Sequence, residues 1–254
     1  MLNGKLEDVM KLNILGSNSA GNCYVLQNDK EALIIEAGID FRNVKKCLGF
    51  NLRKVSGAVI THQHGDHAKF VASFVSNGVA TLALEDVFSS HDIFNHPFAK
   101  TIQTGRGYKV GRFYIQAFPV KHDVPCVGYL IRHEEFGKLL FVTDTVSLDY
   151  TFSGLTEIMI EANYADDILD ARLERESITL AQRNRVIESH MSIDTAKEIL
   201  KRNDLSDVND IVLIHLSNGN SNEQRFVREV RELTGKNVIA ADKGIEVELS
   251  KTPY

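Results

Sequence analysis

Residues 56–67 read SGAVITHQHGDH, an apolar run that ends in three histidines and an aspartate. A fold that accepts this stretch must bury the apolar run and bring four polar side chains together at its end. The run SGAVI has the look of a buried strand. His62 and His64 lie two apart, so on extended backbone both point to one side. Asp66 and His67 follow as the chain turns into a helix, which Phe70, Val71, Phe74 and Val75 predict to start near His67. In H-E-x-x-H, by contrast, the histidines need a helix to become neighbours. Four donors exceed what one tetrahedral catalytic zinc takes from such a loop, because that ion keeps a position for water. Two pairs given to two adjacent metals is the more economical reading, and it requires further donors from elsewhere in the chain.

Three later apolar runs end on such donors. His122 follows IQAFPV, Asp144 closes KLLFVTD, and His215 closes DIVLIH. Any one of them alone reads as an ordinary polar residue beside a core. Four strand ends all carrying His or Asp point to one shared site.

The rest of the chain supplies the frame. LNILG (12–16), CYVLQ (23–27) and ALIIEAG (32–38) are strands separated by the Asn-, Asp- and Gly-rich turns SNSAGN and NDK. DFRNVKKCLGF places Phe41, Val44, Cys47 and Leu48 on one helical face. The middle is β-rich: TLAL, TIQT, RFYIQAF, VGYLIR, KLLFVTD and TEIMIEA. Helices and strands alternate beyond residue 190, with Ser192 as N-cap of SIDTAKEILKRN. SNEQRFVREVRELTG is a helix with a Ser221–Gln224 capping box and Gly235 as its stop. Two β-rich halves with helices on each predict an α/β four-layer α/β/β/α sandwich. With only four prolines and no linker-like stretch, 1–254 is expected to form one domain. Segment 164–189 breaks the alternation. It is charged, mixed in sign, and expected to run over the surface, with Arg172, Arg175, Arg183 and Arg185 in a solvated, salt-bridged helix.

Charge and cysteine content narrow the function. The net charge is -5, from 29 basic and 34 acidic residues, which argues against a global basic field for long nucleic acid. Cys23, Cys47 and Cys126 are far apart and form no C-x-x-C pair, as expected of reduced thiols in a cytoplasmic chain. No leader-like opening and no apolar run of membrane length is present, so a soluble protein without membrane partners is expected.

H-x-H-x-D-H after a strand, then a distant His, an Asp in TDT and a final His resemble the metallo-β-lactamase fold. Within it, GSNSAGNCYVL, KHDVPCVGY, SHMS and IHLSNGNSNE are similar to YycJ/WalJ-like nucleases and, more loosely, to tRNase Z. Phage anti-Pycsar cyclic-nucleotide phosphodiesterases belong to the same neighbourhood. The resemblance covers nearly the whole chain. One departure is Glu36 in EAG, where the family usually has Asp in DAG, which bears on positioning in the site.

The resemblance implies His62, His64 and His122 on one metal, Asp66, His67 and His215 on the other, and Asp144 bridging both. Zinc suits so many imidazoles, while the carboxylates are compatible with manganese. Such a pair serves phosphodiester hydrolysis, with Asp66 also orienting the attacking water and accepting its proton. Glu161, at the strand end in IEANY, and His190, in ESHMS, match a tRNase Z-like dyad that protonates the leaving oxygen. His91, His96 and His133 are expected at the surface. The SNGNSN turn after His215 is expected to offer backbone N–H groups to an anion. The acidic balance favours a cyclic mononucleotide as substrate, with a YycJ-like exonuclease on DNA or RNA as the alternative. Family analogy also implies a homodimer in which segment 164–189 lies over the partner.

Overall fold

In a computed structural model of the chain, which describes residues 9–252, the period-2 alternation of the strands decides the layering. The strands are numbered along the chain. One seven-stranded sheet contains β1 (Lys11–Asn18), β2 (Gly21–Gln27), β3 (Ala32–Ile35), β4 (Val55–Val59), β5 (Thr81–Ala83), β6 (Ala99–Thr101) and, at its other edge beside β1, β14 (Glu246–Glu248). The second has the order β13 (Asn237–Ala240), β12 (Asp210–Ile214), β11 (Glu157–Glu161), β10 (Gly137–Val142), β9 (Cys126–His133), β8 (Phe113–Val120) and β7 (Gly107–Val110). Leu12, Ile14, Phe113, Ile115, Tyr129, Val212 and Ile214 meet in a core between the sheets. Their strand neighbours Ile211 and Leu213 face the other way, into a helical layer.

That layer holds α7 (Ile193–Arg202) and α8 (Glu223–Thr234), with α5 (Asp166–Glu174) packed against it through Ile168 and α6 (Leu180–Ser189) following α5. On the far side, α1 (Phe41–Cys47), α2 (Gly65–Ala68), α3 (Val71–Ser76) and α4 (Glu85–Ser89) cover the first sheet. The expected α/β/β/α sandwich is therefore present. Helix α7 shows how sequence makes such a layer. Ser192 caps it by accepting from Thr195 N, and Ile193, Ala196, Ile199 and Leu200 bury one stripe. Each large apolar side chain buried this way is worth about 1.5–3 kcal/mol.

Several local expectations shift. The helix after the histidine cluster breaks into α2 and α3 around Lys69 and Phe70. TIQT contributes only its first residue to a strand, and β7, a hairpin partner of β8, has no counterpart in the expected series. Helix α8 is capped by the Asn222 side chain accepting from Arg225 N, because the Ser221 hydroxyl donates instead to Ser217 O at 2.7 Å. Gly235 ends it as expected, in a left-handed conformation with φ 66. His133 is buried, not at the surface: its Nε2 lies 2.9 Å from Glu31 Oε1 and its ring packs on Phe113 and Phe136. Cys23 and Cys126 are buried free thiols and Cys47 is half-buried. Burial pushes the first two well up, which makes them poor nucleophiles. Among the described residues, no helix is long and apolar enough to cross a membrane.

Candidate metal centre

The parallel pairings of β3 with β4 and of β10, β11, β12 and β13 point several strand C-termini at one rim of the sandwich. His62 follows β4, His122 follows β8, Asp144 follows β10, Glu161 ends β11 and His215 follows β12. Helix α2 carries Asp66 and His67, with His64 as the residue before it. The loop holding Glu36 is stitched beneath this segment by Ala37 N to His67 O (2.7 Å) and Phe70 N to Ala37 O (2.9 Å). A side chain at Gly38 would collide with Asp66 O at 1.8 Å, so the two segments can approach this closely only at glycine. Glu36, Asp144 and His215 adopt left-handed backbone, with φ of 68, 50 and 55. Such conformations cost energy and persist where packing fixes them.

All seven residues expected to hold metal converge. The donor atoms of His62, His64, His122 and Asp144 lie within 4.8 Å of one another, and so do those of Asp66, His67, Asp144 and His215. Asp144, buried, belongs to both groups. Its Oδ2 is 3.3 Å from His67 Nε2, 3.6 Å from His62 Nε2 and 3.8 Å from His122 Nε2, while Oδ1 is 3.4 Å from His215 Nδ1.

The hydrogen bonds around the cluster establish that it suits a cation. Thr61 Oγ1 donates to Glu36 Oε1 at 2.6 Å, so its lone pair takes the His62 Nδ1 proton at 2.9 Å. That leaves His62 Nε2 a buried lone pair with no hydrogen-bond partner. His122 Nδ1 donates to Ser189 O at 3.0 Å, which turns its Nε2 lone pair toward His64 Nδ1 at 3.2 Å. His67 Nδ1 faces Glu36 Oε1 at 3.3 Å. His215 Nδ1 faces Glu161 Oε1 at 3.2 Å, and its Nε2 then meets Asp66 Oδ2 at 3.2 Å. The outer nitrogens of His62, His122 and His215 are thus held by protein oxygens, His67 Nδ1 lies near Glu36 without a hydrogen bond, and the inner nitrogens face one another and two carboxylates. Orienting the outer nitrogens in this way is how proteins prepare imidazoles for metal. Glu36 acts on this shell through Thr61, whose N and Oγ1 both donate to it. The cluster is suited to binding a metal centre.

Protons compete with a cation for the same atoms. Burial disfavours the charged form of His215, yet Asp144, Asp66 and Glu161 outweigh it and raise it to about 10. His67 is likewise raised against its burial by Asp144 and Glu36. Burial would raise Asp66, but hydrogen bonds from His215 and His67 hold its carboxyl far below the usual range. Cation binding at these nitrogens therefore releases protons and weakens as pH falls.

The dyad residues meet beside Asp144. His190 Nδ1 is 2.8 Å from Glu161 Oε1, and Glu161 Oε2 accepts from Thr145 N at 3.2 Å. Burial opposes charging of His190, but Glu161 and Asp144 prevail and raise it. With Nδ1 engaged, Nε2 is the nitrogen left for the cavity that His190 lines.

That cavity encloses about 590 Å³ above the cluster and is walled by α5 and α6 through Leu169, Arg172, Ile178, Gln182, Arg185 and Val186. Segment 164–189 is thus an arm over the chain's own site. Arg183 does make the expected surface ion pair, with Asp170 at 2.7 Å, but Arg172 and Arg185 face the cavity. In the SNGNSN turn the amides of Asn220 and Ser221 bond back to Ser217 O, and Ser217 N bonds to Asn163 O. Ser217 and Asn220 of this turn line the cavity.

Four supporting residues went unrecognised in the sequence. Asn22 Nδ2 is 3.1 Å from His67 Nε2 and Asn163 Nδ2 donates to His215 O at 2.9 Å. Ser17 Oγ accepts from His215 N at 2.9 Å, tying the two sheets together at the site. Asp123 Oδ1 lies 3.1 Å from His122 Nε2. Adjacency to His122 is a signal for Asp123. Ser17 and Asn22 stand in the GSNSAGNCYVL motif that carries the family resemblance, and Asn163 has no such signal.

Comparison with known proteins gives the family. The model of the metallo-beta-lactamase superfamily matches residues 17–152, more than half of the chain. The exodeoxyribonuclease WalJ of Streptococcus pneumoniae is 26% identical over 255 residues, covering 94% of this chain and 91% of the relative. The metallo-beta-lactamase fold protein YhfI of Bacillus subtilis superposes with a TM-score of 0.72 at 17% identity, over 95% of this chain and 100% of the other. Human tRNase Z, short form, gives 0.61 at 15% identity over 94% and 99%. The chain belongs to the metallo-beta-lactamase superfamily, and it is a hydrolase of that fold.

Proposed function

We propose that the chain is a phosphodiesterase that uses two divalent cations to hydrolyse nucleotide phosphodiester bonds. The observation that carries this reading is one shared carboxylate, Asp144, between two donor groups, with the Glu161–His190 pair opening on the same cavity. His62, His64 and His122 would hold one ion, Asp66, His67 and His215 the other, and Asp144 both. Zinc fits the imidazole-rich donor set best, and manganese is compatible with the carboxylates. When bound, such an ion pair supplies positive charge to the phosphoryl oxygens and makes water a nucleophile at neutral pH.

The chain's own groups do the rest. Asp66, kept ionised by His67 and His215, orients the attacking water and takes its proton. His190, kept charged by Glu161, donates a proton to the departing oxygen. His64 and Asp123 flank the mouth of the cavity.

The substrate reading that best joins cavity and relatives is the end of a nucleic-acid strand. The WalJ relative, aligned over nearly its whole length, is named an exodeoxyribonuclease, and a cavity of about 590 Å³ has room for a terminal nucleotide. A second reading, a 3′,5′-cyclic mononucleotide, is favoured by the net charge of -5. A 5′-phosphorylated oligonucleotide and cyclic mononucleotides, assayed side by side with zinc or manganese, separate the two. We expect mononucleotide release from the strand to be at least about tenfold faster, with a salt dependence steeper than that of a single phosphate. Faster turnover of a cyclic nucleotide replaces the strand reading with the second. Hydrolysis of neither, nor of bis-p-nitrophenyl phosphate, by the metal-loaded protein discards the phosphodiesterase proposal.

A further inference from the structure

The arm formed by α5 and α6 brings two fixed positive charges to the cavity without compensating them. Arg172 and Arg185 both line it. The Arg172 guanidinium hydrogen-bonds Asn220 Oδ1, a neutral partner, and lies so close to Gly219 that a Cβ there would meet its Nη1 at 2.5 Å. It is therefore pinned by the turn that follows His215. Arg185 is exposed and makes no hydrogen bond or ion pair among the described residues. Among the described residues neither has a carboxylate partner, whereas Arg183 on the same arm pairs with Asp170, and Arg225 on α8 pairs with Asp167 and Glu229.

A half-buried arginine such as Arg172 without a counter-charge favours an arriving anion, an exposed one such as Arg185 is free to meet it, and the fork of donors on each matches phosphate. The scissile phosphodiester brings a single negative charge. In the proposed reading that charge is met by the cations and by His190, so the two arginines exceed what one phosphate requires.

We propose that Arg172 and Arg185 form a seat for a second phosphate, adjacent to the one undergoing hydrolysis, and so select a linear strand end over a cyclic mononucleotide. This rests on the reading that the cavity receives nucleotides. It gives segment 164–189 a purpose: the arm carries a substrate-selecting residue pair, and Gln182 between them completes the wall.

Nucleoside 3′,5′-bisphosphate and nucleoside 5′-monophosphate test the seat, because neither contains a phosphodiester and neither is consumed. Their affinities for the metal-loaded protein are compared by calorimetry. The wild type should bind the bisphosphate roughly tenfold more tightly than the monophosphate. R172Q/R185Q should bring that ratio to within about twofold while changing monophosphate affinity little. R185Q alone, at an exposed position unconnected to the fold, should lose part of the preference without risk to folding. R175Q removes the same charge from the same arm outside the cavity and should leave the ratio intact. The proposal is overturned by a wild type with no preference or no nucleotide binding, by a preference that survives the double substitution, or by an equal loss in R175Q. Failure of the phosphodiesterase reading looks different: the bisphosphate preference would persist while bis-p-nitrophenyl phosphate stays uncleaved.

Discussion

Asp144→Asn is expected to lower phosphodiester hydrolysis by roughly 10³-fold or more and to reduce the number of cations held per chain. The substitution keeps the side-chain volume and the acceptor for Thr143 Oγ1, now 2.8 Å from Oδ1, so the backbone at this strand end should hold. What it removes is the negative charge. Four imidazoles, those of His62, His67, His122 and His215, have a nitrogen within 3.8 Å of this one carboxylate. Among the described residues, no other side chain belongs to both donor groups. Near-normal turnover with undiminished cation content in this variant would remove Asp144 from its shared role.

The second large effect concerns the leaving group. His190→Ala should cost about 10²–10⁴ in rate on a nucleotide diester, whose alkoxide departs poorly without a proton. The loss should be distinctly smaller on bis-p-nitrophenyl phosphate, since p-nitrophenolate leaves unaided. The contrast between the substrates matters because His190 also packs near the cluster, with its ring 5.2 Å from that of His215. A packing or electrostatic role would lower both rates alike. Equal losses would assign His190 to structure or binding and leave the leaving group without its acid.

The donor cluster was legible in the sequence because its residues obey local rules. His62 and His64 lie two apart just past β4, Asp66 and His67 follow in one turn, and His122, Asp144 and His215 each sit just past an apolar strand. The sandwich was legible for the same reason: alternation marks strands, and caps such as Ser192 mark helices. Where two polar residues competed for one cap, sequence could not choose. Ser221 satisfies Ser217 O and leaves Asn222 to cap α8. His133 carried a signal that parity exposes, since it continues the series Val127, Tyr129, Ile131 that faces the inter-sheet core.

The parts not legible depend on tertiary placement. Asn22 reaches Asp66 across 44 positions and Asn163 reaches His215 across 52, with no spacing to betray them. The arginines of segment 164–189 look alike in sequence, each interleaved with acids. Only the docking of the arm separates Arg183, neutralised by Asp170, from Arg172 and Arg185, which face the cavity. Sequence also does not reveal that Ser217 O binds the amides of Asn220 and Ser221 in the turn after His215.

The central claim is a pair of cations sharing Asp144, and the direct measurement is their number. Purified protein, freed of metal with a chelator and then dialysed to equilibrium against zinc, should retain two ions per chain by elemental analysis. Retention should fall as pH drops, as protons reclaim His67 and His215, which the neighbouring carboxylates hold above the usual histidine range. One tightly held ion per chain in a fully active protein would contradict the account.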